Sequence, residues 1–281
     1  MNSTALATQA VLAATRLRSQ QGIGPSVGIC PYDLAIALEI KVHFMSAPSL
    51  EGMYSPEPKP LIALGSERPA GRRRYSCAHE IGHHVFKHGF RLDELSDSNS
   101  APWSPEEFLA QRFSSALLMP KLAVDSAFAR RGWTSSTARP DQIYVVAQEL
   151  GVGFTTLITN MEINLNALSK TRADELHQTS LAAIREDLAG SAVAHDVFIV
   201  DKFWIRPKID VEVGDIIIFP ASAEIQGVCA SREAGSDRRF TATAPGTAPV
   251  TLAGSSSSPM LRVSKRNFEG LARYRHLEET K

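Results

Sequence analysis

His79-Glu80-Ile81-Gly82-His83 is the stretch on which the reading of this 281-residue chain turns. It is an H-E-x-x-H motif. On a helix, positions four apart share a face one turn apart, so His79 and His83 can bring two imidazoles to one metal ion. Glu80 stands beside them, able to hold a water that the metal acidifies, which is how zinc metallopeptidases attack a peptide bond. Ser76 serves as a helix N-cap and Gly89 as a stop. Ile81 and Val85 would form the inward-packing stripe, and glycine at 82 leaves room beside the metal.

A catalytic zinc site takes three protein ligands and keeps one position open. A third histidine in the H-E-x-x-H-x-x-G-x-x-H spacing is excluded, because position 86 is Phe86 and position 89 is Gly89. Downstream, Ser104-Pro105-Glu106-Glu107 is a strong helix start, with an N-cap serine, proline at the first helical position and acids in the first turn. Glu106 and Glu107 are therefore both available as the third ligand. His84 is rotated by about 100° from His83 around the helix. His84 and His88 read as solvated groups or hydrogen-bond partners of the ligands rather than as ligands.

The bulk numbers are those of an ordinary globular protein, 43% hydrophobic and 21% charged. The length suggests about two domains. Thirty basic residues balance thirty acidic ones, so no global field draws nucleic acid or an anionic membrane. No apolar run approaches the ~18 residues of a membrane span. The N-terminus places Arg16 and Arg18 after its Ala-rich stretch, the reverse of a secretion signal, so an amphipathic first helix is expected there. Cys30, Cys77 and Cys229 are odd in number and far apart, which suggests a reducing, cytoplasmic compartment.

Along the chain, 5–20 reads as a helix, followed by a helix at 34–39 opened by Pro31-Tyr32-Asp33 and a strand at 40–45. Residues 46–60 read as loop, 60–65 as a strand, Arg72-Arg73-Arg74 as a solvated loop, and 91–104 as loop. Residues 141–167 give two short helices around Gly151 with the sense of a helix-turn-helix, and 171–188 another helix. Beyond 190 the texture turns to short β-like runs at 197–200, 216–219, 240–244, 250–253 and 261–263. Val213-Gly214-Asp215 marks a tight turn and 253–259 a flexible loop. The expected fold class is α+β with domains at 1–125, 126–190 and 191–281. The last domain would be a small barrel or sandwich for sensing or partner binding.

Two segments carry a family resemblance. Arg73-Arg74-Tyr75-Ser76-Cys77-Ala78-His79-Glu80-Ile81-Gly82-His83 resembles the R-x-F-T-x-A-H-E-L-G-H segment of the ImmA/IrrE metallopeptidases. Ala110-Gln111-Arg112-Phe113-Ser114-Ser115-Ala116-Leu117-Leu118-Met119-Pro120 is similar to that family's A-N-x-F-A-x-x-L-L-M-P helix. The resemblance covers about 25–165. It implies a gluzincin-like zinc peptidase core in which His79, His83 and Glu107 (rather than Glu106) bind Zn2+ and Glu80 is the catalytic base. It also implies that Gln111, standing for the family's Asn or Asp, orients a ligand histidine. Tyr54, Tyr75, His84 and His88 are candidate oxyanion donors or substrate contacts, and residues 61–64 a candidate edge strand for substrate.

The implied activity is cleavage of a helix-turn-helix repressor protein, which would derepress mobile-element, toxin–antitoxin or stress-response genes. No direct nucleic-acid binding is expected, since 141–167 contains Asp141, Glu149 and Glu162 and no Lys or Arg, while phosphate contacts supply most non-specific DNA affinity. Two other readings are open: a non-proteolytic regulator that sequesters a repressor, and a DNA-associated factor with a structural zinc.

Overall fold

The computed structural model describes residues 2–94, 103–252 and 258–277. The chain forms two compact units, Met1–Ala123 with Asn267–Tyr274, and Val124–Arg266 with Arg275–Lys281. The first holds the H-E-x-x-H motif. It opens with α1 (Ser3–Gln20), capped by the Asn2 side chain accepting from the Thr4 amide at 3.0 Å. Leu6, Ala10, Ala14, Leu17 and Arg18 make its buried stripe. Buried Arg18 donates to the carbonyls of Leu117, Gly24 and Val27 at 2.6–2.7 Å, fixing the loop that leads to α2 (Pro31–Ala37).

A mixed sheet follows, built from β1 (Lys41–Met45), β2 (Leu50–Ser55) and β3 (Leu61–Gly65). Its order is Gly270–Leu271, β1, β3, β2, then β4 (Arg91–Glu94). β1 and β3 are parallel, and the other pairs are antiparallel. β1 alternates, with Val42 and Phe44 buried between exposed ends. Phe44 meets Tyr32 and Phe268 edge-on, at 5.1 and 6.2 Å between ring centroids.

Several expectations are corrected here. The supposed loop at 46–60 contains β2, whose Gly- and Ser-containing sequence is held extended by ladders on both sides rather than by its own propensity. Residues 61–64 are not an edge, because β3 is paired with β1 and β2. Among the described residues the edges are Gly270–Leu271 and β4, the latter in a stretch expected to be loop. The remainder of that stretch, 95–102, lies outside the described residues, as does 253–257 of the expected Gly/Ser loop.

The motif lies on α3 (Ala70–Phe86), seven residues longer at its start than the Ser76 cap implied. Of residues 70–76 only Gly71 disfavours a helix, and the three arginines after it favour one. The three arginines are thus helical, not loop. Arg73 and Arg74 are buried, Arg73 with its guanidinium 5.6 Å from the Phe44 ring centroid, and Arg72 pairs with Glu51 at 2.7 Å. α3 ends at Lys87, left-handed at φ 58°, two residues before Gly89. Ile81 is fully buried and Val85 only partly. α4 (Pro105–Leu118) starts as its sequence indicates, with Ser104 Oγ accepting from the Glu107 amide at 3.5 Å.

α5 (Lys121–Ala129) carries the chain into the second unit, where α6 (Pro140–Leu150) turns at Gly151, φ 76°, into α7 (Phe154–Thr159). The expected helix at 171–188 is two, α8 (Lys170–His177) and α9 (Leu181–Ala189), because Ser180 caps the second by accepting from the Ala183 amide. Glu149 is fully engaged by Arg130 and Arg131 at 2.6 and 2.7 Å.

Eight strands follow: β5 (Val197–Ile199), β6 (Lys208–Glu212), β7 (Ile216–Ile218), β8 (Glu224–Ile225), β9 (Ala230–Arg232), β10 (Arg239–Ala242), β11 (Gly246–Thr251) and β12 (Met260–Ser264). They form two four-stranded sheets, β5-β7-β10-β9 and β6-β12-β11-β8. Both contribute to one apolar core around Trp204, Ile217, Phe240, Ile209, Val250 and Leu261. The helices from α6 onward and these strands belong to the same unit. No described helix is long and apolar enough to cross a membrane.

Candidate metal centre

Helical spacing places His79 and His83 on one face of α3, and their Nε2 atoms come within 3.0 Å of each other. Both rings are set by what packs around α3. His83 is fully buried and its Nδ1 lies 2.9 Å from Nδ1 of His88, which the left-handed turn at Lys87 folds back beneath it. Burial pushes the His88 imidazole down to about 4, so it stays neutral and can accept the His83 Nδ1 proton. That leaves the His83 Nε2 lone pair for a metal.

α4 supplies the third group. Glu107 Oε2 is 3.1 Å from His79 Nε2 and 3.5 Å from His83 Nε2. Glu106 turns away and pairs with Arg91. The approach that allows this is made by Gly82: a Cβ there would stand 3.0 Å from the Ala110 Cα and 3.2 Å from Phe113 Cδ1. The glycine therefore makes room for α4 rather than for the metal itself.

A fourth group, absent from the sequence reading, comes from β4. Asp93 Oδ2 is 3.3 Å from His79 Nε2. Donor atoms of His79, His83, Asp93 and Glu107 all lie within 4.8 Å of one another and could hold a metal ion. Nothing near Asp93 in the sequence marks it, and only the pairing of β4 with β2 carries it there.

Electrostatics in this cluster favour positive charge. Burial opposes charging of His79, yet hydrogen bonds to Asp93 and Glu107 and the charge of Glu80 outweigh it and raise the imidazole to about 10. Hydrogen bonds from His79 and His83 hold Glu107 below the usual carboxylate range, against its partial burial. A cluster that draws a proton so strongly, with two imidazole nitrogens facing each other, is suited to a divalent cation.

Glu80 is fully buried, and neither carboxylate oxygen has a hydrogen-bond partner among the described residues. Burial pushes it up to about 8; the His79 charge opposes this, and Asp93 and Glu107 reinforce it. Its carboxylate lies against the backbone of β2, where a Cβ on Gly52 would collide with Oε1. Two unsatisfied buried oxygens beside a cation-seeking cluster fit a metal with its water and not a sealed core.

The other sequence candidates are placed differently. Tyr54 is buried on β2, its hydroxyl 2.9 Å from His84 Nδ1; burial raises the phenol and lowers the imidazole. The Tyr75 hydroxyl donates to the Gln111 carbonyl at 3.2 Å and lies 3.1 Å from Ser115 Oγ. Gln111 is exposed and meets the neighbourhood through its main chain. The side chain found against the His83 ring is His88, one of the hydrogen-bond partners that the sequence offered.

Comparison with known proteins bears on the same region. A Mycobacterium tuberculosis transcriptional regulator of known structure is similar at 16% identity and a TM-score of 0.38, over 55% of this chain and 46% of that one. This chain thus spans about half that protein's length, and so remote a likeness carries no weight for fold or activity. No curated protein sequence matches the chain. Residues 37–161 match the model of the IrrE N-terminal-like domain of peptidase family M78. That span contains both motif segments and all four clustered side chains, and is consistent with the ImmA/IrrE family.

Proposed function

We propose that this chain is a zinc-dependent metallo-endopeptidase with a gluzincin-like core. In it His79, His83 and Glu107 hold the metal and Glu80 is the general base. The observation that carries the reading is the unsatisfied, fully buried Glu80 carboxylate beside two imidazole Nε2 atoms 3.0 Å apart. Zinc bound there supplies Lewis acidity toward a scissile carbonyl and acidifies water. Glu80 takes the proton of the attacking water on a carboxylate oxygen and delivers it to the leaving amine. Burial makes Glu80 a stronger base than an exposed carboxylate and a competent acid afterwards. His88 holds the His83 ring in the tautomer that leaves Nε2 unprotonated.

The proposed substrate is a helix-turn-helix transcriptional repressor in the same cytoplasm, whose cleavage derepresses mobile-element, toxin–antitoxin or stress-response genes. The absence of Lys and Arg from 141–167 supports action on such a protein over direct DNA contact. Glu80→Gln should retain one zinc per chain and lower cleavage of a co-purified repressor by roughly 10²–10⁴-fold. Full activity in that variant sinks the peptidase reading, and repressor inactivation without cleavage points to sequestration. The fourth donor, Asp93, is a specific observation for a second reading, in which zinc closed by four protein groups is structural.

A further inference from the structure

Zinc with bonds of about 2.0–2.1 Å holds tetrahedral donors about 3.3 Å apart. The separations found are 3.0 Å between His79 and His83, 3.1 and 3.5 Å from these to Glu107, and 3.3 Å from His79 to Asp93. Three of these groups satisfy the ordinary demand of a catalytic site. Asp93 then stands at the corner where water or a substrate carbonyl belongs.

The supports of the four groups differ. His79, His83 and Glu107 project from long helices packed against each other at the Gly82–Ala110 approach. Asp93 is on β4, a four-residue strand bonded on one side only among the described residues. Its ladder is irregular at that level, since Gly52 pairs with Asp93 and Leu50 with Glu94, leaving Glu51 extra. A bulge of this kind re-aims a side chain and weakens the local ladder. Gly52 is both the residue against which the Glu80 carboxylate rests and the ladder partner of Asp93.

Given the metal site of the preceding section, on which this rests, we propose that Asp93 is a fourth, displaceable metal ligand that closes the coordination sphere of the resting protein. The exchange is one oxygen donor for another: the Asp93 carboxylate leaves as water or a carbonyl oxygen arrives, and the coordination number is unchanged. Edge pairing by an extended substrate would act on the strand that carries Asp93. The site is then both closed at rest and catalytic in use.

The test uses the full chain, wild type against Asp93→Ala and the near-isosteric Asp93→Asn. Zinc affinity is measured by chelator competition, and the free corner is probed with acetohydroxamate, followed by the visible spectrum of the cobalt(II) protein. Both variants should bind zinc about tenfold or more weakly and acetohydroxamate about tenfold or more tightly than wild type. Unchanged affinities for both overturn the inference and leave the three-ligand site standing. Weaker zinc with no gain in hydroxamate affinity also overturns it, because Asp93 is then a fixed structural ligand. Failure of the wild type to bind zinc overturns the proposed function itself.

Discussion

At the scale of single residues, the chemistry depends on one missing side chain as much as on those present. Gly52 leaves the space that the Glu80 carboxylate fills. Gly52→Ala should retain zinc, since His79, His83 and Glu107 are held on α3 and α4, but displace the base and cut hydrolysis by about 10²-fold; metal content with single-turnover cleavage checks it. An unaltered rate would mean that Glu80 does not work from this position. His79, Glu80 and His83 were legible because a helix converts a five-residue spacing into a shared face. Spacing alone left Glu106 and Glu107 open and the resemblance favoured Glu107; Glu107 is the one that lies against the two histidines, while Glu106 pairs with Arg91. Asp93 could not be found, since its place depends on the register of a sheet edge. His88, read from sequence as a solvated group or a hydrogen-bond partner, stands against His83 because the left-handed turn at Lys87 reverses the chain under it.

At the scale of elements, the cluster that could hold a metal is a product of how closely α3 and α4 approach. Gly82→Ala puts a methyl 3.0 Å from the Ala110 Cα, which is main chain and cannot swing aside. The helices must part, and an overpacked contact costs about 1–3 kcal/mol. Glu107 should withdraw with α4, so zinc affinity falls along with the thermal midpoint, measurable by chelator competition and calorimetry. A variant that loses stability but keeps zinc affinity would show that Glu107 is not set by this contact. The start of α4 was readable because capping is local, Ser104 and Pro105 meeting the first turn directly. The start of α3 was misread because three consecutive arginines suggest solvent, whereas their long stems can be buried while the charged heads find aromatic or acidic partners. β2 was missed for the opposite reason: its residues are poor strand formers, and only neighbours on both sides make it one.

At the scale of the whole molecule, the α+β class and the passage from helices to short strands were visible in composition. The β-rich end was read as a small barrel or sandwich, but β8 and β9 are too short, at two and three residues, to show a pattern, and β6 was overlooked although Lys208–Glu212 alternates. The second unit also predicts a pH response. His276 lies 3.1 Å from the Val263 carbonyl. Burial, followed by the Arg275 charge, lowers its imidazole to about 4. A folded-state pKa below the ordinary value of about 6.5 means that its contribution is complete above pH 6.5. That contribution is lost as pH falls toward 4. Between pH 7 and pH 5 the wild type should lose about 2 kcal/mol more stability than His276→Gln, read from urea transitions of the second unit. Parallel losses in the two proteins would exclude the histidine.

The strand Gly270–Leu271 pairs with β1 in the sheet that carries Asp93, yet it follows every residue of the β-rich sheets in the chain. During synthesis, the H-E-x-x-H helix therefore emerges about 190 residues before the last strand of its own sheet. The N-terminal portion cannot finish its sheet on the ribosome while the rest is being made. Closure of that sheet edge therefore waits for the whole β-rich segment to be translated, whereas His79, His83, Asp93 and Glu107 have all been made long before.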